Sequence, residues 1–223
     1  MDGTVTCPLT GFNFDGSSSA REMLRLLHHN KFKRSEDIVY PDGVKRTIPQ
    51  RDVFLYDAGF GLGVKAGQDI NPNTRIVIYA GEVINEAEAS RRTEYHQGQY
   101  FLTLDDEFTI DAKLVGSYGR FINHSCKPNT RYTGGELNGR RIATVVAIKK
   151  ILAGQVITCS YVTPDTPIRD RYPITYIGEE CLCGESSHLK FGPELPEKVH
   201  HSEAQPRKGG KFSKSPRKAA KFV

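Results

Sequence analysis

The stretch Arg120-Phe121-Ile122-Asn123-His124-Ser125-Cys126-Lys127-Pro128-Asn129 carries the densest chemistry in this 223-residue chain. Asn123 and His124 set two hydrogen-bonding side chains beside the Cys126 thiol, just ahead of a proline-initiated turn. Such a segment can meet a polar ligand with backbone and side chains together. Its four central residues alone read more simply as a polar loop after a strand. Gly61-Leu62-Gly63 leaves two positions without a side chain, so the backbone there can approach a ligand closely or make a tight turn. Cys181-Leu182-Cys183 brings two of the chain's five cysteines within three residues. The odd cysteine count and an N-terminus without a basic and apolar leader favour a reducing compartment and metal ligation over a disulfide framework.

The ten-residue string does not stand alone. RFINHSC-x-PN closely resembles the central motif of the SET-domain protein lysine methyltransferases, and the resemblance covers roughly residues 51–192. Gly61-Leu62-Gly63-Val64-Lys65-Ala66 is similar to the family's opening GxGVxA, and Tyr79-Ala80-Gly81-Glu82-Val83-Ile84 to its Y-x-GEVI. Tyr100 to Ile110 with Asp111-Ala112 resembles its aromatic strand ending in IDA. Gly154 to Tyr161 (GQVITCSY) resembles its GEELTFDY. A lone GxG is a weak signal, whereas five motifs in the family's order are a strong one.

The resemblance implies methyl transfer from S-adenosylmethionine to a lysine amine by in-line displacement, in which the protein aligns the reactants and excludes bulk water. It assigns Tyr161 as the catalytic residue, orienting the amine rather than acting as a strong base, since a phenol is mostly protonated at neutral pH. It assigns cofactor contacts to Gly61, Leu62, Gly63, Tyr100, Arg120, Asn123, His124 and Phe191, the last packing on the adenine. The lysine channel is expected from Tyr100, Tyr118, Cys159, Tyr161 and Tyr172, with aromatic walls favouring the cation. Position 159 usually holds Phe or Tyr in the family; the smaller Cys159 implies a roomier pocket and di- or trimethylation. Family members with a post-SET knuckle have C-x-C-x4-C, and here His188 stands where the third Cys would fall. Cys126, Cys181, Cys183 and His188 would then hold one structural zinc ion. Only Cys7 precedes residue 126, so no Cys-rich pre-SET cluster is expected.

The elements that must position these residues read as mostly β with few helices: a SET-type fold of several small sheets with a knot-like C-terminal crossing, plus the zinc knuckle. Short β-branched or aromatic runs (VFLYDA, GVKAG, RIVIYAGEVI, QYFLTL, EFTIDA, RIATVVAIKKI, QVITCSYV) predict strands. Asn71-Pro72-Asn73 and Thr133-Gly134-Gly135 predict turns. Helices are predicted over about 20–31, capped by Ser19, and about 86–97. The expected organisation is an N-terminal flank over 1–50 with one helix, a SET domain over 51–162, a post-SET region over 163–192 and a disordered basic tail over 193–223.

The net charge of +5 averages unlike parts. Residues 1–51 carry eight Lys/Arg against six Asp/Glu, residues 52–206 carry 16 against 20, and residues 207–223 carry seven against none. An acidic catalytic region suits a Lys/Arg-rich histone tail added as a strand along a groove. The basic tail reads as a nonspecific nucleosome or DNA contact, a localisation signal, or a segment methylated by the enzyme itself. A nuclear, chromatin-associated setting follows, and no run of 18 apolar residues predicts a membrane span. Two rivals remain: a catalytically silent SET module acting as a histone or nucleosome adaptor, and a zinc-stabilised nucleic-acid-binding domain. The first is disfavoured by the presence of Tyr161, Asn123, His124 and the GxG, the second by the acidic middle.

Overall fold

Short β-branched and aromatic runs, each cut by a glycine or asparagine turn, build a chain made mostly of small strands. The computed structural model describes residues 4–47, 51–96, 100–161 and 183–185. The N-terminal flank holds β1 (Val5–Thr6), β2 (Asn13–Phe14), helix α1 (Ser18–His29), β3 (Lys33–Arg34), β4 (Asp37–Val39) and β5 (Lys45–Thr47). Then come β6 (Val53–Asp57), β7 (Leu62–Ala66), β8 (Arg75–Ile78), β9 (Gly81–Asn85) and helix α2 (Glu86–His96). After β10 (Phe101–Thr103), β11 (Phe108–Asp111) and β12 (Val115–Gly116), a 3-10 turn spans Tyr118–Phe121. The last strands are β13 (Asn123–His124), β14 (Thr130–Leu137), β15 (Arg140–Ala147) and β16 (Val156–Cys159).

These strands form three sheets. The largest runs β1-β2-β6-β7-β16-β14-β15-β8, with β13 pairing beside β16; the second runs β10-β11-β9-β4-β5; the third pairs β12 with β3. One apolar cluster under the large sheet gathers Phe12, Phe14, Leu24, Leu55, Val64 and Ile157 among others. A second, around Ile38, Ile78, Val83 and Ile110, lies between the large and the five-stranded sheet. Neither α1 nor α2 is long and apolar enough to cross a membrane.

Several local expectations are corrected. α1 starts at Ser18 under Ser17, not under Ser19. All three serines are chemically able to cap, but Ser17 is oriented by Asp15, whose Oδ1 accepts from both its N–H (3.0 Å) and its hydroxyl (2.7 Å). The Ser17 oxygen then accepts from the Ala20 N–H. Thr133-Gly134-Gly135 is not a turn but the middle of β14. The reversal is Asn138-Gly139, both at positive φ (52° and 74°), which joins Leu137 to Arg140 as a two-residue hairpin loop. The run RIVIYAGEVI breaks at Tyr79-Ala80 into β8 and β9, which belong to different sheets. Gly81 permits that break: a Cβ there would sit 2.5 Å from the Asp111 carbonyl oxygen, so β9 lies on β11 only without a side chain.

The flank is also more than a helix. β2 pairs in parallel with β6, β3 with β12, and β4 with β9, so residues 5–47 supply strands to all three sheets. The expected knot-like crossing, most of the post-SET region and the tail over 193–223 lie outside the described residues.

Candidate active site

β13 is only two residues long, yet it fixes two site side chains. It runs parallel to β16, with Asn123 opposite Thr158 and His124 opposite Cys159. Below it, Asn129 acts as a surrogate strand. Its Nδ2 donates to the Val156 carbonyl (2.7 Å) and its Oδ1 accepts from the Thr158 N–H (2.9 Å). The Thr130 hydroxyl donates to the Thr158 carbonyl (2.8 Å), and the Ser125 N–H to the Cys159 carbonyl (3.0 Å). The Asn-His-Ser-Cys segment and β16 are thus locked together by backbone and amide geometry.

Asn123 Nδ2 reaches the Leu62 carbonyl at 3.3 Å, tying β13 to the Gly61-Leu62-Gly63 turn. The two glycines there exist for different reasons. Gly61 has φ +136°, and the space a Cβ would take is open to 4 Å, so the backbone is accessible to a ligand. At Gly63 a Cβ would lie 2.6 Å from the Tyr56 ring, so that glycine is required by Tyr56, whose ring has Lys65 Nζ 4.3 Å from its centroid. The expectation that both glycines clear room for a cofactor therefore needs correcting at Gly63.

His124 Nδ1 accepts the Tyr161 N–H at 3.1 Å. A neutral ring accepting at Nδ1 carries its proton on Nε2, which lies 3.4 Å from Cys126 Sγ. The His124 and Tyr161 rings are 5.5 Å apart. Tyr161 as a whole residue is 44% exposed. The hydroxyl turns inward and donates to the Ile122 carbonyl at 2.8 Å. Burial, with Cys159 and Tyr100 nearby, pushes this phenol well above the ordinary tyrosine range, so it stays protonated.

A set of tyrosines surrounds that hydroxyl. Tyr79 donates to the Tyr100 carbonyl at 2.9 Å and packs edge-on against Tyr132 at 5.8 Å. Burial raises the phenols of Tyr79 and Tyr132, and each also feels the Tyr161 hydroxyl. Cys159 is 1% exposed, and burial pushes its thiol up to about 11, leaving it neutral at physiological pH. Tyr100, Cys159 and Tyr161 are thus brought together, joined by Tyr79 and Tyr132, to which no role was given from sequence. Tyr79 opens the YAGEVI string and Tyr132 lies six positions after Cys126, but only their common neighbour β15 brings them to one place.

Arg120 lies under this group. It is 7% exposed, with its guanidinium 3.9 Å from the Tyr100 ring centre and 4.4 Å from that of Phe32. Nη1 donates to the Lys113 carbonyl at 2.8 Å, while the buried Nε has no partner. Desolvation pulls its pKa down. Tyr118 is placed differently from the other channel candidates. It is 3% exposed, packs edge-on against Phe12 at 4.8 Å, and its hydroxyl accepts the Asn13 N–H at 2.7 Å. Its side chain is used in the core. Tyr172 and Phe191 lie outside the described residues.

Of the expected zinc ligands, Cys126 and Cys183 are described, and both are partly buried. Lys127 and Glu185 form an ion pair at 3.5 Å, which brings the Cys183-Gly184-Glu185 segment against the Cys126 loop. Two soft thiol donors on touching segments suit zinc. Cys181 and His188 lie outside the described residues, and no cluster of three potential ligands is gathered among those described.

Known proteins match the middle of this chain. Residues 61–162 match the SET domain. Residues 61–162 of this chain are a SET domain. The chain is 38% identical over 136 residues to an H3 lysine-36 specific histone-lysine N-methyltransferase of Candida albicans, covering 59% of this chain and 15% of that protein. It is 37% identical over 136 residues to a Saccharomyces cerevisiae protein of the same description, covering 59% and 18%. Similarity to the histone-lysine N-methyltransferase SUV39H2 of Gallus gallus is 38% over 120 residues, 49% of this chain and 29% of that one. The chain therefore spans less than a fifth of the length of the first two. Among solved structures, a humanized mutant of the Chaetomium thermophilum Polycomb Repressive Complex 2 bound to the inhibitor GSK343 aligns with a TM-score of 0.47 at 27% identity, over 56% of this chain and 16% of that one. The SET domain begins at Gly61 and so leaves the strands of the flank, β1 to β5 with α1, outside its bounds.

Proposed function

We propose that this chain is an S-adenosylmethionine-dependent protein lysine N-methyltransferase acting on a histone tail. The observation that carries the reading is the Tyr161 hydroxyl, turned toward Tyr79, Tyr100, Tyr132 and Cys159 while its backbone is tied to His124. S-adenosylmethionine supplies the electrophilic methyl group when bound. Leu62, Asn123 and His124, with the open backbone at Gly61, are suited to hold it, and Tyr100, Arg120 and Phe191 complete the proposed contacts.

The tyrosine faces favour a lysine ammonium and shield its alkyl stem. Before attack the amine must lose its proton to solvent, because the raised Tyr161 phenol is no base at neutral pH. Tyr161 instead presents an oxygen whose proton is already committed to Ile122, leaving its lone pairs to orient the amine. Cys159, in place of a family aromatic, leaves room for a methylated amine to turn and re-enter, which supports di- or trimethylation. Cys126, Cys181, Cys183 and His188 are proposed to hold one structural zinc ion, which would fold the knuckle. The H3 lysine-36 descriptions of the relatives make histone H3 the first substrate to try. A nuclear setting and nucleosome contact through the basic tail go with that substrate.

The test is to incubate the protein with methyl-labelled S-adenosylmethionine and core histones, beside Asn123→Ala. Labelled lysine from the wild type and a raised cofactor KM in the variant are expected. Absence of label on any histone lysine would overturn the proposal.

A further inference from the structure

The N-terminal flank reaches the candidate pocket through one stack of side chains. Tyr100 sits at φ +66°, a left-handed conformation that a tyrosine rarely adopts without being held. Its carbonyl is held by the Ala112 N–H (3.0 Å) and the Tyr79 hydroxyl (2.9 Å). Its ring, on a residue 40% exposed, is held from beneath by the Arg120 guanidinium at 3.9 Å. Arg120 makes no salt bridge among the described residues; it is buried, its Nη1 donates to the Lys113 carbonyl, its side chain also hydrogen-bonds Tyr100, and its Nε is unpartnered. The π faces around a buried cation without a carboxylate partner help to hold it. The second nearest of those faces is Phe32, at 4.4 Å.

Phe32 does not belong to the SET domain. It precedes β3, whose parallel pairing with β12 is secured by Lys33 N–H to the Leu114 carbonyl (2.8 Å) and Ser35 N–H to the Gly116 carbonyl (2.9 Å). Phe12, also from the flank, stacks on Phe32 at 6.1 Å, and Phe121 packs against it at 6.1 Å. The phenyl ring is therefore immobilised from three sides: by its own strand, by Phe12 and by Phe121. Arg120 lies sandwiched between that fixed ring and a tyrosine whose backbone is strained.

We propose that Phe32 is a positioning residue for the methyl-transfer site, holding the Tyr100 ring in place through Arg120, so that the flank completes the lysine pocket of the SET domain. This rests on the reading of the chain as a lysine methyltransferase and adds to it a contribution from outside residues 61–162. A Tyr100 ring that tilts lets the lysine amine wander from the line of attack, which lowers turnover without weakening the binding of peptide or cofactor.

The experiment is steady-state kinetics of the full chain on a histone substrate for wild type, Phe32→Met, Phe32→Tyr, Arg120→Met and the Phe32→Met/Arg120→Met double variant, with the melting temperature of each. Methionine keeps apolar volume at position 32 and removes the π face. Phe32→Met is expected to lower kcat about tenfold, the scale of one desolvated cation–π contact, with both KM values within about twofold of wild type. Phe32→Tyr restores the face and should recover kcat. In the Arg120→Met background Phe32→Met should change kcat less than about twofold, because the link is already cut. Equal kcat for Phe32→Met and wild type overturns the proposal, as does a loss of the same size in both backgrounds. If Phe32→Met does not fold, Phe32→Leu, which also removes the π face, carries the test: a fall in kcat with both KM values within about twofold of wild type supports it, and unchanged kcat overturns it. An inactive wild type would instead overturn the methyltransferase reading itself, so the two failures are distinguishable.

Discussion

Asn129 joins the NHSC segment to β16 through two hydrogen bonds, and its removal gives a prediction whose size follows from the structure. Asn129→Ala deletes the donor to the Val156 carbonyl at 2.7 Å and the acceptor for the Thr158 N–H at 2.9 Å. Each bond is worth about 1 kcal/mol net, and stranding two backbone groups that are only partly reachable by water raises the total to about 2–3 kcal/mol. For a domain of this size that lowers the melting temperature by about 4–12 °C. Asn129→Asp separates the two bonds. Its carboxylate still accepts from Thr158, but at neutral pH it has no proton to give to Val156 and sets like dipoles against each other. Protonation restores a donor, so the native state binds the proton more tightly than the unfolded chain, where the carboxyl titrates near ~3.9. Stability relative to wild type is thus fullest at low pH and is lost as pH rises through the raised native pKa. Urea unfolding of both variants between acid and neutral pH provides the assay. An Asn129→Ala variant within about 0.5 kcal/mol of wild type would refute the reasoning. So would an Asn129→Asp variant that gains on wild type as pH rises.

Other expectations follow from the same contacts. The Cys159 thiol, at about 11 when folded against the ordinary 9.0, keeps its proton in the native state between those values while the unfolded chain loses it. Stability should therefore fall over pH 9–11, by about 2 kcal/mol from this group, and Cys159→Ala should flatten that slope in urea titrations. Gly81→Ala drives a methyl to 2.5 Å from the Asp111 carbonyl and should cost about 1–3 kcal/mol, seen as a lower urea midpoint; an unchanged midpoint would mean that β9 and β11 can separate freely. Elemental analysis of purified protein should find one zinc per chain, lost on Cys126→Ser.

The site's string of polar residues was legible because the NHSC segment is short and unbroken in sequence, whereas its hydrogen bonds to Leu62, Cys159 and Tyr161 span 30 residues or more and were not. The flank's part in the second and third sheets was not legible, because β3, β4 and β5 are only two or three residues long, too short for an alternation to develop. Gly134-Gly135 misled for the opposite reason: β14 is long and antiparallel to β15 over eight pairs, and that ladder overrides the weak strand propensity of glycine. The true reversal, Asn138-Gly139, carries the strongest short hairpin signal known and was passed over beside it. Tyr79 and Tyr132 could not be joined from sequence, since their contact depends on both flanking β15: Tyr132 lies opposite Val145, and the Tyr79 N–H donates to the Ala143 carbonyl. Arg120 was visible as part of a motif, but its burial between Tyr100 and Phe32 depends on a pairing of β3 with β12 across about 80 residues of chain, which no local pattern reports.

If the Tyr161 hydroxyl orients a lysine amine for methyl transfer, its removal must slow the reaction. Mass spectrometry of histone H3 after incubation with S-adenosylmethionine and either wild type or Tyr161→Phe measures this. Di- or trimethyl-lysine is expected with the wild type, and a loss of about a hundredfold or more in rate with the variant, whose fold is retained. Equal methylation by the two proteins would contradict that role.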